Sequence, residues 1–434
     1  MIKPAYSTTL HLRWRTHWLV AVAVLCGCAH QLMPTPNLFI GSPDDPFAGV
    51  PSALQTNRVD VLYVTDRLGE DDKKGKLQYG FERCRSLSFG SLIVEIDSNL
   101  SWDRLTRESR TQNRHLALPL SGGPPRRQGQ FPETPPPHIA GQGSGKLDPK
   151  YVQQLDDARN ALVNEVSRRV AQYPAHKEAT VFVHGYDYSL NEAAFVSADL
   201  WHFSGRRGVP IAYSWPSGQK YDYDRESGEF TVYHLKQFLR ALASCPDLEK
   251  INIVAHSRGC DTVLSAIREL NIESRAAGEN TRSQLKLENL ILAAPDLDLG
   301  VAGQRIAAEG LFSVFKRTTV YVSTQDIALS LVTWMFQSRR LGAARAKDMD
   351  HGQWRVLTES DQTQVIDLRL PRVGMGHSYF HTDPAVSSDL IRILRDDRSP
   401  GSENGRPLIH REDGFWEIRE NYLKPGFPTA KRKH

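Results

Sequence analysis

At residues 251–259 the chain reads Ile251-Asn252-Ile253-Val254-Ala255-His256-Ser257-Arg258-Gly259, a run of strand character that ends in a tight turn. A helix-forming run at residues 261–270 follows directly. Both positions two residues away from Ser257 are small, since a strand that turns this sharply into a helix leaves no room for larger side chains. The stretch therefore predicts a strand–turn–helix unit that lifts the hydroxyl of Ser257 above a sheet edge.

Such a unit is typical of the nucleophile elbow of α/β-hydrolases. The backbone N–H of Arg258 would lie at the N-terminus of the following helix, where negative charge is favoured. The first small position is Ala255 rather than glycine. The elbow predicts an α/β-hydrolase fold with Ser257 as its nucleophile.

Strand and helix patterns alternate through most of the chain. A long helix is expected from Asp148-Pro149, a capping residue followed by proline in the first turn. Ser189 and Glu192 form the pattern of a capping box that opens a second helix. Such alternation predicts a mainly parallel, doubly wound sheet with helices on both faces. The expected strands lie at residues 59–64, 87–96, 179–183, 211–214, 251–254, 290–294, 318–323 and 364–368, and the last helix at 385–394.

Composition divides the chain into segments of different character. Residues 28–56 and 119–147 are rich in proline, glycine and polar residues, which is typical of a tether and of a flexible insertion. Residues 396–434 are polar with a basic end and are expected to be a poorly ordered tail. The predicted organisation is a lipoprotein-type signal peptide at 1–27, the tether at 28–56, a hydrolase domain at 57–395 that carries the insertion, and the tail.

The N-terminus has the pattern of an export signal, with basic residues before a short apolar core that cannot span a bilayer. Its end, Leu25-Cys26-Gly27-Cys28, resembles a bacterial lipobox. That resemblance implies a lipid on Cys28, a membrane as partner, and a place in the bacterial cell envelope. Ala29 rather than aspartate after the cysteine favours the outer membrane over inner-membrane retention, and the expected place is the periplasmic side of that membrane. A plain secretory signal and a single N-terminal anchor remain alternatives.

Charge and cysteine content exclude some classes of function. The net charge of +4 falls to +1 without residues 1–27, which hold three basic residues and no acid. Nucleic acid is therefore not expected as a partner. Beyond the signal, Cys84, Cys245 and Cys260 lack metal-site spacing, so no metal is predicted. A disulfide between Cys84 and Cys245 is left open.

A serine nucleophile needs a base to accept its proton and an acid to orient that base. In this fold the chain order is serine, acid, histidine. Asp326 follows a later strand and is the predicted acid, with Asp296 and Asp298 as rivals. His377, which follows two glycines in the loop after the last predicted strand, is the predicted base.

His381 is the alternative to His377. The oxyanion hole needs two backbone N–H groups aimed at the developing negative charge. The elbow supplies the N–H of Arg258. The second donor is expected from the loop after an earlier strand, at Val183-His184-Gly185-Tyr186, where the N–H of Tyr186 has the required position.

Ordered motifs along the chain resemble those of a bacterial α/β-hydrolase family of unknown function whose members are often exported or lipid-anchored. That resemblance implies the fold and a serine-hydrolase triad but no substrate. One departure is Arg258, where an apolar residue is usual; it would favour an anionic acyl substrate or meet a carboxylate within the fold. The motifs are VLYVTDR at 61–67, VFVHGY at 181–186, YSWPS at 213–217, AHSRG at 255–259, AAPDLD at 293–298, YVS at 321–323 and GHSY at 376–379.

The sequence thus predicts a lipid-anchored serine hydrolase that cleaves carboxylic or lipid esters through an acyl-enzyme, without metal or organic cofactor. One alternative is a non-catalytic envelope lipoprotein that uses the fold to bind a partner. Another is an acyltransferase that passes the acyl group to an acceptor other than water.

Overall fold

The computed structural model describes residues 30–42, 45–137, 147–218, 220–349, 352, 358 and 360–424. Within these residues, one mixed sheet is the centre of the fold. Its strands are β1 (Arg58–Asp71), β2 (Leu77–Ile96), β3 (Leu120–Gly122), β4 (Arg126–Gln130), β5 (Glu178–Val183), β6 (Val209–Ser214), β7 (Lys250–His256), β8 (Leu287–Ala293), β9 (Arg317–Val322), β10 (Thr363–Arg369), β11 (Ile409–His410) and β12 (Trp416–Arg419).

The strand order is β11-β12-β10-β9-β8-β7-β5-β6-β1-β2-β3, with β4 also paired to β2. All neighbours from β12 to β1 run parallel. The edges are antiparallel, through the long β1–β2 hairpin on one side and β11 on the other. The predicted α/β architecture with a mainly parallel sheet is confirmed.

Helices connect the parallel strands, as right-handed crossovers require. Ser189 and Glu192 form the predicted capping box, and Asp148 caps the long helix before β5. The helices are α1 (Trp102–Glu108), α2 (Pro149–Val170), α3 (Leu190–Phe203), α4 (Tyr221–Ala243), α5 (Gly259–Ala276), α6 (Thr281–Gln284), α7 (Leu299–Ala302), α8 (Ile327–Phe336), α9 (Tyr379–Thr382) and α10 (Pro384–Asp396).

Each face of the sheet is covered by its own apolar core. Successive side chains of a strand point to opposite faces, so Ile253 of β7 packs with α2, α4 and α5 while Val254 packs with α3 and α10. Val181 and Phe182 of β5 divide in the same way. The centre of the sheet is therefore buried on both sides, as expected for a parallel sheet between helical layers.

In the described residues, parts of three segments that were expected to be flexible pack against the domain. The described part of the insertion packs on the sheet, because residues 120–122 and 126–130 pair with β2 and Phe131 is buried. The tether packs onto the domain through Leu32, Met33 and Phe39. The tail supplies β11 and β12, and Arg406 is buried against Asp389. Apolar residues spaced among the prolines and charged residues account for this packing. The overall composition of each segment does not reveal them.

The predicted signal peptide at 1–27 and the predicted lipidation site Cys28 lie outside the described residues. Among the described helices, none has the length and apolar character needed to cross a membrane. Cys84, Cys245 and Cys260 are free thiols, so the disulfide left open by the sequence is not formed.

Candidate active site

The predicted elbow has the backbone of a strained turn. Ser257 has a φ of +51°, a left-handed conformation that is costly for a residue with a Cβ. Its N–H donates to the carbonyl of Ala293 at 2.9 Å, and its own carbonyl accepts from the N–H of Asp296 at 3.1 Å. The ends of β7 and β8 therefore hold the serine in this conformation.

Two glycines allow the elbow to nest against the loop that follows β5. A Cβ on Gly259 would lie 2.3 Å from the carbonyl oxygen of His184, and a Cβ on Gly185 would lie 2.7 Å from the Cβ of Ser257. Both distances are shorter than real contacts between such atoms. The Gly residues of the two motifs are thus required by the close approach of one loop to the other.

The loop after β10 brings His377 to the residue that follows β9. The Nδ1 of His377 lies 2.7 Å from Oδ2 of Asp326, whose side chain is fully buried. Oδ1 of the same carboxylate accepts the N–H of Leu329 at 2.9 Å and so caps α8. With Nδ1 donating to the carboxylate, Nε2 of His377 is left as an acceptor.

His256 connects this histidine loop to the elbow. Its Nε2 donates to the carbonyl of His377 at 3.2 Å, and the two ring centroids are 4.8 Å apart. Between the described side chains of Ser257 and His377 themselves the structure records no hydrogen bond. Such contacts are often long before substrate binds. His256, the residue before Ser257, thus anchors the histidine loop beside the elbow.

The rival acids have other partners. Asp298 caps α7 by accepting the N–H of Val301 at 2.8 Å. Asp296 accepts the hydroxyl of Tyr221 at 2.5 Å and lies 3.3 Å from Nε of Arg340. Neither carboxylate contacts His377 in the recorded hydrogen bonds of the described residues, so the geometry favours Asp326.

His381, the alternative base, faces another part of the molecule. It borders a cavity of about 560 Å³ together with Leu32, Met33 and Arg114. Burial, with a smaller effect of His30, lowers the pKa of His381 to about 4. Its ring is therefore neutral near pH 7 and lies away from Asp326.

The two predicted oxyanion donors are both free to bind an acceptor. Neither the N–H of Tyr186 nor that of Arg258 has an acceptor among the described residues. The side chain of Arg258 is buried, forms an ion pair with Asp261 and donates to the carbonyl of Asp296 at 3.2 Å. The guanidinium thus meets a carboxylate of the fold, the second of the two expectations for this position.

Arg67 is a site residue that the sequence analysis did not assign. Its fully buried guanidinium donates to the carbonyls of Tyr188 at 2.5 Å and Ser217 at 3.0 Å, and lies 3.4 Å from Nε2 of His184. Burial lowers the pKa of Arg67 to about 10, which leaves it charged at pH 7. It fixes both loops that border the elbow. The sequence signal that pointed to Arg67 was the motif VLYVTDR at residues 61–67, which ends on this arginine in β1.

His184 is a structural member of the same loop. Its ring lies between the rings of Tyr188 and Trp215, at centroid distances of 5.3 and 5.2 Å. Nδ1 donates to the carbonyl of Gly185 at 2.8 Å, and burial holds the pKa of His184 well below its usual range. The neutral ring orients the peptide that precedes Tyr186.

Ser217 is a further residue whose role became clear only in the structure. Its hydroxyl donates to Asp224 at 2.6 Å and accepts the N–H of Asp187 at 2.8 Å. The YSWPS motif thereby holds the turn just after Tyr186. Among the described residues, no cluster of histidine, cysteine and carboxylate side chains could hold a metal ion.

A family model described as alpha/beta hydrolase of unknown function (DUF900) matches residues 158–395. No curated protein sequence matches the chain. Solved structures that resemble it include a predicted CIB-like hydrolase from Thermoplasma acidophilum (14% identity, 51% of this chain and 86% of that chain, TM-score 0.31). An uncharacterized protein from Bacillus cereus ATCC 10987 also resembles it (14% identity, 58% of this chain and 71% of that chain, TM-score 0.34). So does a Pyrobaculum calidifontis esterase (15% identity, 55% of this chain and 72% of that chain, TM-score 0.22).

Proposed function

Because the chain belongs to this family of α/β-hydrolases of unknown function, we propose that it is a serine hydrolase that cleaves carboxylic esters through an acyl-enzyme. The observation that carries the proposal is the 2.7 Å contact between His377 and Asp326, on a loop anchored beside the strained Ser257. A buried carboxylate on Nδ1 is the arrangement that a histidine base needs.

In the proposed first step, Oγ of Ser257 attacks the acyl carbon while Nε2 of His377 takes its proton. The carbonyl oxygen becomes an oxyanion, which the N–H groups of Tyr186 and Arg258 stabilise by hydrogen bonds. The bond to the leaving group then breaks, the proton moves from Nε2 to the departing oxygen, and an ester of Ser257 remains.

In the second step, water attacks the same acyl carbon and gives one proton to Nε2 of His377. The tetrahedral oxyanion collapses, the bond to Ser257 breaks, and the proton returns to Oγ. The products are the alcohol and the carboxylic acid. The carboxylate of Asp326 stabilises the imidazolium that forms twice per cycle.

The test is steady-state hydrolysis of p-nitrophenyl esters of increasing acyl length. Ser257→Ala is expected to reduce kcat by about 10⁴-fold or more. The matched control is Ser313→Ala, an exposed serine whose hydroxyl donates to the carbonyl of Gly310 at 2.7 Å. Equal turnover by parent and Ser257→Ala would contradict the proposal.

We also propose that the protein is anchored in the bacterial cell envelope by a lipid on Cys28, on the periplasmic side of the outer membrane. The lipobox-like sequence at residues 25–28 supports this, because lipidation needs the cysteine directly after a small residue. Metabolic labelling with a fatty acid is expected to mark the parent and not Cys28→Ala. Label retained in Cys28→Ala would contradict the anchor.

A further inference from the structure

Helix α8 carries apolar residues on the side that faces solvent. Ile327, Leu331, Trp334 and Met335 are spaced as i, i+4, i+7 and i+8, the pattern of one helix face. Trp334 is 71% exposed, Met335 52% and Leu331 47%. An apolar stripe at this spacing normally faces a core, so its exposure indicates a surface that another phase or molecule covers.

The loop that carries His377 extends this surface. The N–H of Ile327 donates to the carbonyl of Met375 at 3.0 Å, and Val373 and Met375 are 65% and 43% exposed. We call these six residues the outer apolar face: Ile327, Leu331, Trp334, Met335, Val373 and Met375.

The outer apolar face adjoins the candidate active site at both ends of α8. Asp326 caps the first turn while it contacts His377. At the other end, the ring of Phe336 lies 5.5 Å from that of Tyr221, which lies 5.8 Å from that of the half-exposed Tyr186. Aromatic rings thus lead from the outer end of α8 to a proposed oxyanion donor.

Basic side chains border the same helix. A cleft of about 600 Å³ beside α8 is lined by Ser330 and Thr333 of the helix and by four cations and one acid. Arg339 pairs with that acid, Asp348, and Arg345 and Lys347 are exposed. An apolar face with Trp, bordered by Arg and Lys, is complementary to a bilayer with anionic headgroups.

We propose that the outer apolar face inserts into an anionic lipid surface and that the acyl ester substrate reaches Ser257 from that surface. The use of the surface for catalysis rests on the proposed function, whereas the insertion itself does not. The apolar side chains enter the acyl-chain boundary, and Arg345 and Lys347 meet the headgroup phosphates. The Tyr186, Tyr221 and Phe336 rings then form the path for an acyl chain.

The test measures quenching of tryptophan fluorescence by lipids brominated on their acyl chains, with the full chain. The vesicles contain phosphatidylcholine alone or phosphatidylcholine with added phosphatidylglycerol. Quenching is expected on the anionic vesicles, and Trp334→Phe is expected to lose the quenched component. Persistence of the full quenched component in Trp334→Phe would overturn the proposal, as would absence of quenching in the parent.

Two sets of variants separate the outer apolar face from other attachments. Leu331→Ser with Met335→Ser is expected to raise the lipid concentration for half-maximal quenching by about tenfold or more. The matched control, Ile272→Ser, is as exposed as Leu331 but lies on α5 and is expected to change nothing. Arg345→Ser and Lys347→Ser should each reduce the preference for anionic vesicles by about fivefold.

The outcomes distinguish this proposal from the chemistry. Ser257→Ala is expected to bind vesicles like the parent, because the serine is not part of the outer apolar face. A parent with normal quenching but no esterase activity would contradict only the proposed ester hydrolysis. Vesicle binding without quenching of Trp334 would show attachment by another segment and overturn the insertion. Sedimentation measures whether two copies of the chain associate. If the mass of the parent doubles with protein concentration and that of the double variant Leu331→Ser with Met335→Ser does not, the outer apolar face binds a second copy. That result would also overturn the proposed insertion.

Discussion

Gly185 and Ser257 approach so closely that a Cβ on the glycine would lie 2.7 Å from the Cβ of the serine. The same Cβ would lie 3.2 Å from Nδ1 of His256. The loop that carries Tyr186 therefore packs directly against the turn that carries Ser257. Only a glycine at position 185 permits this close approach.

Gly185→Ala is expected to displace the N–H of Tyr186 from the elbow. Loss of one oxyanion donor typically lowers kcat by about 10²- to 10³-fold, with a smaller effect on KM. The control is Gly80→Ala, because a Cβ at that position meets nothing within 4 Å. Steady-state kinetics measure kcat and KM of both variants. A kcat of Gly185→Ala equal to that of the parent would contradict the assignment of the Tyr186 N–H as an oxyanion donor.

Asp326→Asn is expected to lower kcat by about 10⁴-fold, since an amide on Nδ1 favours the wrong tautomer of His377. Asp298→Asn serves as the comparison, because Asp298 caps α7 and borders no histidine in the recorded contacts of the described residues. Its replacement should cost about 1 kcal/mol of stability or less and leave kcat nearly unchanged. The opposite ranking of the two variants would make Asp298 the acid.

Arg67→Leu is expected to reduce the free energy of unfolding by about 3 kcal/mol or more, because buried carbonyls of two loops lose their donor. Arg58→Leu on the same strand removes an exposed ion pair with Glu95 and should cost about 0.5 kcal/mol or less. Urea unfolding followed by circular dichroism measures both. Similar losses of unfolding free energy in the two variants would contradict the role of Arg67 in stabilising the loops that border the elbow.

Acid is expected to destabilise the fold through buried neutral histidines. Burial holds the pKa values of His184, His202 and His256 well below their usual range. The unfolded chain binds protons at these positions as pH falls through about 6.5 while the folded chain does not, so stability decreases as pH decreases. Each histidine should contribute a loss of about 1 kcal/mol between pH 6.5 and 5.5.

Urea unfolding at these two pH values measures that loss. His202→Gln should remove about 1 kcal/mol of it. The control is His410→Gln, which replaces an exposed histidine and should leave the pH dependence unaltered. A pH dependence that His202→Gln does not reduce would show that another group titrates.

The elbow and the central strands could be predicted because their signals are local. Apolar runs that end in glycine, serine or proline turns predict β5, β7 and β8 within three residues of their observed bounds. The sequence favours Asp326 over Asp296 and Asp298 because Asp326 follows a later strand, and Asp326 is the carboxylate that contacts His377.

Other features depend on contacts between distant segments and have no local signal. The guanidinium of Arg67 is buried because β1 pairs with β6, which brings its donors to Ser214 and Ser217. Residues 120–130 form strands only because β2 offers an edge to them. The sequence IALSLVTWMF of α8 is typical of a core helix, and only the fold reveals that its apolar stripe faces outward.

No measurement bears more closely on the activation of Ser257 by His377 than covalent labelling of the serine. The parent is treated with a fluorophosphonate, and peptide mapping by mass spectrometry locates the adduct. We expect one phosphonyl group on Ser257 of the parent and no labelling of Ser257→Ala. His377→Ala should remain unlabelled over the time in which the parent is fully labelled. An adduct on another residue, or equal labelling of Ser257→Ala, would contradict that activation.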